Sequence, residues 1–317
     1  MAMASSRTPM TLFTWWALLG VACSDFTLND PDEDAPESVA VVETFLQDPT
    51  PRVDVLWLVD NTASMAEEQA YLAEEITIFA DRLDAEEVSW QMGAVTPDGT
   101  GILEGNPWVI TPDNLSLFSL NLMLQPGTDG AQPATGLDAI MAALSEPRMS
   151  TDNIGFRRDD AALQVVIYSD GDDQSEMELG PDPVEPFLQF LDLESSRTGR
   201  SAVTSAIVGP APSGCTGPAG TATAGDRYQE TALESGGIAM SICEPDLVAL
   251  ADQVTNVGTS LLTAFSLQAE PSTGSVRVSI DDQRIDSGWS ISSRTLTFDA
   301  PPPYGSIISV RYRVGAR

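Results

Sequence analysis

The residues best placed to do chemistry are one carboxylate and two hydroxyls within five positions. Asp60, Thr62 and Ser64 alternate in the segment Asp60-Asn61-Thr62-Ala63-Ser64, directly after an apolar run. Carboxylate and hydroxyl oxygens at this spacing are hard ligands of the kind that Mg²⁺ and Mn²⁺ prefer. The pattern therefore predicts an oxygen-rich cation site, although the same hydroxyls could simply cap the helix that follows.

The composition removes most other chemistry. The chain has 317 residues with 47 acidic and 15 basic side chains, every basic residue is Arg, and it contains neither His nor Lys. Without His there is no Ser-His-Asp triad and no HExxH zinc site, and without Lys there is no Walker A loop or Schiff base. A net charge of −32 also disfavours nucleic acid and anionic lipid surfaces as partners.

Two apolar strands must position these groups, and each ends in an aspartate. The runs Val53–Asp60 and Leu163–Asp170 are short, β-branched and almost continuously apolar, as expected for strands covered on both faces. After Asp60 a helix is predicted, with Leu72, Ile76 and Phe79 on its buried stripe. In sheets built from such strand-turn-helix units, ligands bind at the carboxyl ends of the strands.

Further strands and helices alternate along the chain and predict an α/β domain with a doubly wound, mostly parallel sheet over residues 51–263. The segment 96–130 is less regular. The remaining predicted units are a strand at 90–95, a helix at 135–144, a helix at 184–193, a strand at 202–208, a helix at 226–235, a strand at 238–242 and a last helix opened by Pro245.

With its preceding strand, the Asp60 motif resembles the metal-ion-dependent adhesion site of the von Willebrand factor type A domain, Asp-x-Ser-x-Ser. Thr62 departs from that pattern but keeps the hydroxyl. The resemblance covers residues 51–263 and looks closest to acidic lipoproteins of myxobacteria and their relatives. It implies two further ligands, Asp170 at the end of the second strand and a threonine from another loop. Thr128, in Gly127–Gly130, matches that threonine, with Thr135 as the alternative.

The resemblance also implies a function. A Mg²⁺ or Mn²⁺ ion, with Ca²⁺ possible, would be held mostly by neutral hydroxyls, and an acidic residue of a protein ligand would complete its shell. The chain would then act in adhesion or protein–protein interaction and not as an enzyme. One alternative is a structural envelope protein with a degenerate site. Another is a carboxylate-based hydrolase such as a glycosidase, for which the sequence offers no motif.

The amino terminus predicts export and a lipid anchor. Residues 1–22 contain no acidic side chain. They include an apolar run that is too short to span a bilayer, which is typical of a signal peptide. The end of this run resembles a lipobox before Cys23, so Cys23 is the expected lipidation site, with an ordinary cleaved signal as the alternative. Residues 23–50 read as an acidic tether. The expected location is the bacterial cell envelope, as an outer-membrane lipoprotein.

The other two cysteines and the carboxyl-terminal residues complete the prediction. In an exported protein Cys215 and Cys243 are expected to form a disulfide, the alternative being two buried free thiols. From residue 266 to 317 the apolar pattern changes to a two-residue period with turn residues between the runs. This segment predicts a small module of four or five antiparallel strands.

Overall fold

The fold is described from a computed structural model that covers residues 38–47, 51–86, 88–130 and 132–315. The predicted signal peptide, Cys23 and most of the predicted tether lie outside these ranges. The helices are α1 (Ala66–Ala85), α2 (Leu117–Leu124), α3 (Gly136–Ala143), α4 (Glu176–Leu179), α5 (Val184–Thr198), α6 (Asp226–Glu234) and α7 (Leu247–Gly258). Within the described ranges none of the helices has the length and apolar character needed to cross a membrane.

The strands fall into two groups along the chain. Those of the α/β domain are β2 (Arg52–Val59), β3 (Ser89–Val95), β4 (Ala162–Ser169), β5 (Ala202–Val208), β6 (Cys215–Gly217), β7 (Gly220–Ala222) and β8 (Ala239–Ser241). Those of the carboxyl-terminal module are β1 (Val39–Leu46), β9 (Ala264–Ser266), β10 (Arg277–Ile280), β11 (Gln283–Ile285), β12 (Trp289–Ser292), β13 (Thr295–Phe298) and β14 (Ile307–Val314).

The α/β domain is built on a parallel sheet with the strand order β3-β2-β4-β5-β8. Because successive side chains of a strand point to opposite faces, β2 feeds two cores. Val55 and Trp57 pack with α1 and α7 on one face, whereas Leu56 and Leu58 pack with α3 and α5 on the other. This confirms the predicted doubly wound sheet and explains why β2 and β4 are apolar throughout. The architecture is compatible with a type A fold.

The carboxyl-terminal module is also confirmed as antiparallel, in two small sheets ordered β1-β14-β10-β11 and β12-β13-β9. Its core contains Phe265, Leu296, Val310 and Tyr312. One strand of the module comes from a part of the chain predicted as tether. Val39–Leu46 pairs with Val314–Ile307 over eight residues, so this part of the 23–50 segment is a strand and not a spacer.

Three elements of the α/β domain differ from the sequence prediction. The irregular segment 96–130 contains the short helix α2, which starts at a side-chain cap from Ser116. The last helix begins at Leu247, two residues after Pro245, because the Asp246 carboxylate accepts a hydrogen bond from the Ala249 amide and forms the cap. Strands β6 and β7 form a hairpin in a stretch rich in Gly, Pro and Ala that carries no strand pattern.

Candidate metal centre

The candidate metal centre lies where β2 and β4 end side by side. These strands are parallel neighbours, with Val59 in register with Tyr168, so the residues after them meet at one edge of the sheet. The Asp60 amide donates to the Tyr168 carbonyl at 2.9 Å and extends the ladder by one bond. The Asp60 and Asp170 side chains therefore face a common opening, as the sequence predicted from the two strand ends.

The Asp60 carboxylate is held by neutral donors. Oδ1 accepts from the Thr62 amide at 2.8 Å, and Oδ2 accepts from the Ser169 hydroxyl at 2.6 Å. The residue is only 3% exposed. Such a buried carboxylate is orientated by its hydrogen bonds, but its charge is not neutralised by them.

Thr62 and Ser64 are not used to start the helix. The short 3-10 turn Ala63–Met65 has Thr62 at its cap position without a side-chain cap hydrogen bond, and α1 likewise starts without one. The two hydroxyl oxygens lie 3.4 Å apart. Two adjacent ligands of an octahedral Mg²⁺ ion are separated by about 3 Å, so this spacing suits a shared ion better than it suits a mutual hydrogen bond.

Asp170 has a raised pKa. Burial is the main cause and the nearby Asp60 charge adds to it, while a hydrogen bond from the Ser64 hydroxyl opposes the shift. Within the described ranges neither Asp60 nor Asp170 forms an ion pair with an arginine. Two buried carboxylates facing one opening without a cation are the arrangement that a divalent ion would stabilise.

The loop expected to supply a third hydroxyl is fixed against this site, but neither candidate threonine lines the opening. Gln69 donates to the carbonyls of Asp60 and Gly127, each at 2.8 Å, which holds the loop of Thr128 in place. Thr135 is buried at the start of α3, and its hydroxyl lies beside Gly99. Among the described residues of this loop, Gln132 and Ala134 line the opening instead.

Two further aspartates of the Asp170 loop have structural roles that the sequence did not reveal. Asp172 accepts from the Arg227 amide at 3.0 Å and Asp173 accepts from the Leu137 amide at 2.9 Å, so each carboxylate lies at a helix amino terminus. Burial is the main cause of the raised pKa of both. The two carboxylates are therefore bound by the protein, because backbone amides and the dipole at a helix amino terminus stabilise negative charge.

The opening is a cleft of about 870 Å³ whose far wall is the β6–β7 hairpin with its flanking turns. A disulfide joins Cys215 at the start of the hairpin to Cys243 beyond β8, with 6.1 Å between their Cα atoms, which confirms the predicted pair. The Thr223 amide and hydroxyl donate to the Asp170 carbonyl at 2.9 and 3.1 Å. The hairpin wall is therefore attached directly to the loop that carries Asp170.

A buried glutamate also supports this wall. Glu68 on α1 is 1% exposed, and its Oε1 accepts from the Thr221 amide at 3.0 Å. Its Oε2 has no hydrogen-bond partner among the described residues. Burial raises the pKa of Glu68, and the charge of Asp170 raises it further. The sequence gives no local signal that Glu68 is buried, because its hydrogen-bond partner Thr221 lies on a hairpin far along the chain.

The described residues contain no group of three or more Cys, Asp or Glu side chains arranged to hold a metal ion. Any cation bound here would depend on the hydroxyls of Thr62 and Ser64 together with the two carboxylates. That donor set suits Mg²⁺ or Mn²⁺, which keep some of their water when bound by proteins.

Comparison with known proteins does not assign a family. No protein-family model matches the chain, and no curated protein matches it. Two solved structures of the pilus adhesin SpaC from Lactobacillus rhamnosus GG, one in an open conformation, are similar at 12% identity with TM-scores of 0.37 and 0.39. Each alignment covers 90% of this chain and 42% of the adhesin, so this chain spans less than half of the adhesin's length. Likeness at this level carries no argument about function.

Proposed function

We propose that the cleft binds a divalent cation, Mg²⁺ or Mn²⁺, and through it an acidic group of a protein ligand. The observation that carries this proposal is the meeting of Asp60 and Asp170 with two hydroxyls that cap no helix. No arginine among the residues that the structure describes pairs with either carboxylate. The function would be adhesion or another protein–protein interaction. The chain would have no catalytic role.

Each residue of the proposed site would have its own role in binding the ion. Thr62 and Ser64 would ligate the ion directly through their hydroxyls. Both oxygens of Asp60 already accept protein hydrogen bonds, which favours contact through ion-bound water. Asp170, which accepts a hydrogen bond from the Ser64 hydroxyl, would ligate directly or through water. Because the direct ligands are largely neutral, the ion would keep enough positive charge to attract a carboxylate of the ligand.

The third hydroxyl ligand implied by the type A resemblance, Thr128 or Thr135, is not among the described residues that line the cleft. Thr128 lies on the loop that Gln69 holds beside the cleft, and Thr135 lies against Gly99, so Thr128 is proposed as the third ligand and Thr135 as its alternative. The alternative is a structural envelope protein whose site is degenerate. Cation binding separates the two proposals, because a degenerate site would bind neither ion.

The location forms the second part of the proposal. The chain would be exported by the signal at residues 1–22, lipidated at Cys23 and held at the bacterial outer membrane. The disulfide between Cys215 and Cys243 is consistent with an oxidising compartment outside the cytosol. Replacing Cys23 with Ser should release the protein from the membrane fraction or leave an unprocessed precursor.

Isothermal titration calorimetry with Mg²⁺ and Mn²⁺ tests the cation site. The chain from residue 23 onward, with Cys23→Ser, contains every described residue and should bind both ions. Asp60→Ala should abolish binding with the circular dichroism spectrum unchanged. Asp182→Ala, at an exposed aspartate remote from the cleft lining, is the matched control and should bind like the parent. Unchanged Mn²⁺ affinity in Asp60→Ala, or absence of binding in the folded parent, would refute the site.

A further inference from the structure

The charge of the molecule is divided unevenly between its two folded parts. Residues 51–263 contain 34 acidic side chains and eight arginines, a net charge of −26. The carboxyl-terminal module, residues 38–47 with 264–317, contains six acidic side chains and six arginines. The module is therefore neutral overall, and the position of its arginines decides what its surface can attract.

Four of these arginines share one side of the β1-β14-β10-β11 sheet. Along β14, Ile308, Val310 and Tyr312 point into the core of the module, so Arg311 and Arg313 point outward. Arg277 is directly opposite Arg311 in the register, and Arg284 is opposite Ser279 in the next row. We name this set, Arg277, Arg284, Arg311 and Arg313, the arginine face.

Three of the four residues of the arginine face lack the ion pairs that most described arginines of the α/β domain form. In the α/β domain seven arginines pair with carboxylates, as Arg82 does with Asp252. On the arginine face Arg284 pairs with Asp286, whereas the other three form no ion pair within the described residues. Arg277 donates to backbone carbonyls and Arg313 to the Ser38 hydroxyl.

This arrangement is costly for folding. Like charges directly opposite each other on neighbouring strands destabilise a sheet, and Arg277 and Arg311 occupy such a pair. In a chain with 47 acidic residues, pairing each arginine with a carboxylate would require no unusual sequence. The exposed cluster of positive charge is therefore better explained by a partner outside the chain than by stability.

Apolar side chains flank the arginines on the same side of the sheet. Val42 is opposite Arg311, and Leu46 is opposite Ile307. All three aliphatic residues are exposed: Val42 by 56%, Leu46 by 59% and Ile307 by 49%. Basic side chains beside exposed apolar groups are the combination by which amphipathic helices bind a membrane interface, and this sheet surface offers the same chemistry.

We propose that the arginine face docks on an anionic, phosphate-bearing lipid surface. Charge complementarity and the aliphatic groups favour this occupant, and the chain enters the module close to the face. Fifteen residues separate Cys23 from Val39, which at full extension span about 50 Å, so a lipid at Cys23 would keep the module beside the membrane. That last step rests on the proposed anchor; the charge argument does not.

Docking through this face would also orientate the protein. The α/β domain with its charge of −26 would be repelled by the same lipids and would point away from them. The expectation from net charge alone, that anionic lipid is no partner, overlooks this separation of charge. The lipid contact and the cation cleft would be independent functions of two parts of one chain.

Vesicle sedimentation tests the proposal without the lipid anchor. The Cys23→Ser chain from residue 23 is mixed with phosphatidylcholine vesicles, with or without added phosphatidylglycerol, at low and high salt. We expect binding only with phosphatidylglycerol and only at low salt. Each arginine near an anionic surface contributes roughly a five-fold factor, so Arg277→Gln with Arg311→Gln should weaken binding about 30-fold.

A matched control separates the face from the total charge. Arg82→Gln with Arg148→Gln removes the same two charges from the α/β domain and should not weaken binding. The proposal is overturned if the parent does not bind phosphatidylglycerol, or if both double variants lose binding equally. It is also overturned if sedimentation velocity shows that the face mediates self-association, or if binding requires removal of the acidic segment 24–37. None of these outcomes depends on cation binding.

Discussion

Two buried aspartates at opposite ends of β2 differ in the groups that surround their carboxylates. Asp54, near the start of β2, is fully buried and accepts from Arg157 at 2.9 Å and from Arg158 at 2.7 Å. Asp60, directly after β2, is equally enclosed but accepts only from the Thr62 amide and the Ser169 hydroxyl. One end of the strand therefore has arginine counter-ions, whereas the other has none within the described residues.

The pKa shifts of carboxyl groups at the two ends of the sheet agree with this difference in counter-ions. At the Asp54 end, burial opposes ionisation of Glu194, but Arg197 and Arg157 outweigh it and hold the pKa below its usual value. At the Asp60 end, burial raises the pKa of Asp170, and no arginine in the described part of the chain offsets it. The difference teaches that buried charge alone does not mark a site. Buried charge without a counter-ion does, because only there can an external cation improve the electrostatics.

The largest expected effect on stability comes from removing the Asp54 carboxylate that pairs with Arg157 and Arg158. Asp54→Asn leaves the buried Arg157 without its closest carboxylate and should lower the free energy of unfolding by about 3–5 kcal/mol. Urea unfolding followed by circular dichroism measures this loss. Asp60→Asn is the control on the same strand and should change the unfolding free energy by less than about 1 kcal/mol. Equal losses in the two variants would show that the ends do not differ as described.

The wall of the cleft is held by the disulfide between Cys215 and Cys243, whereas the opposite end of β2 is held by ion pairs. Replacing Cys215 and Cys243 with Ser opens a loop of 28 residues and should cost about 3–4 kcal/mol in the chain-entropy model. Proteolysis should become faster in the hairpin before it does elsewhere. A reducing agent should destabilise the parent but have no effect on the double variant. If the parent and the variant unfold at the same urea concentration, the link is not what holds this wall.

The sequence allowed prediction of the elements whose signal is local. Strands β2 and β4 are continuous apolar runs because both faces are covered, and each ends in the aspartate that the site uses. The Asp60 motif lies within five residues, so its hydroxyls could be named without the fold. The cysteine pair could be predicted as well, because few alternatives exist for the two cysteines that remain after Cys23.

The missed elements depend on partners far away in the chain. Strand β1 carries Glu43, which looks solvated in sequence but is buried, accepting from the Tyr312 hydroxyl and from the Gln268 amide. Its pairing partner, β14, lies at the opposite end of the described chain. The β6–β7 hairpin likewise has no apolar pattern, since it is held by a disulfide and by Glu68. The side chains that complete the cleft could not be predicted from the sequence. They lie on loops whose positions are set by contacts with residues far away in the chain.

The smallest expected effect is the pH dependence of stability that arises from the buried carboxyl groups at and around the cleft. A carboxyl group whose pKa is raised on folding binds its proton more tightly in the folded state, so stability is lost as pH rises from the unfolded pKa through the folded one. Asp170, Asp172, Asp173 and Glu68 all have raised pKa values, with burial as the main cause. The metal-free protein should therefore lose stability over this interval. Glu194, whose pKa is lowered, acts oppositely: its stabilisation is lost as pH falls through its folded pKa.

Asp170→Asn isolates the contribution of the cleft to this pH dependence. The amide keeps the shape of the side chain and removes the buried charge, so the metal-free variant should melt slightly above the parent at neutral pH. A gain near 1 kcal/mol would raise the Tm by about 2–4 °C. Thermal melts in the presence of a chelator at several pH values measure it, with Asp182→Asn as the exposed control. Saturating Mn²⁺ should stabilise the parent but not the variant, because the variant lacks the charge that the proposed ion would offset. A variant that melts below the parent at every pH would mean that Asp170 is already neutralised within the protein, and the contrast between the two ends of β2 would then fail.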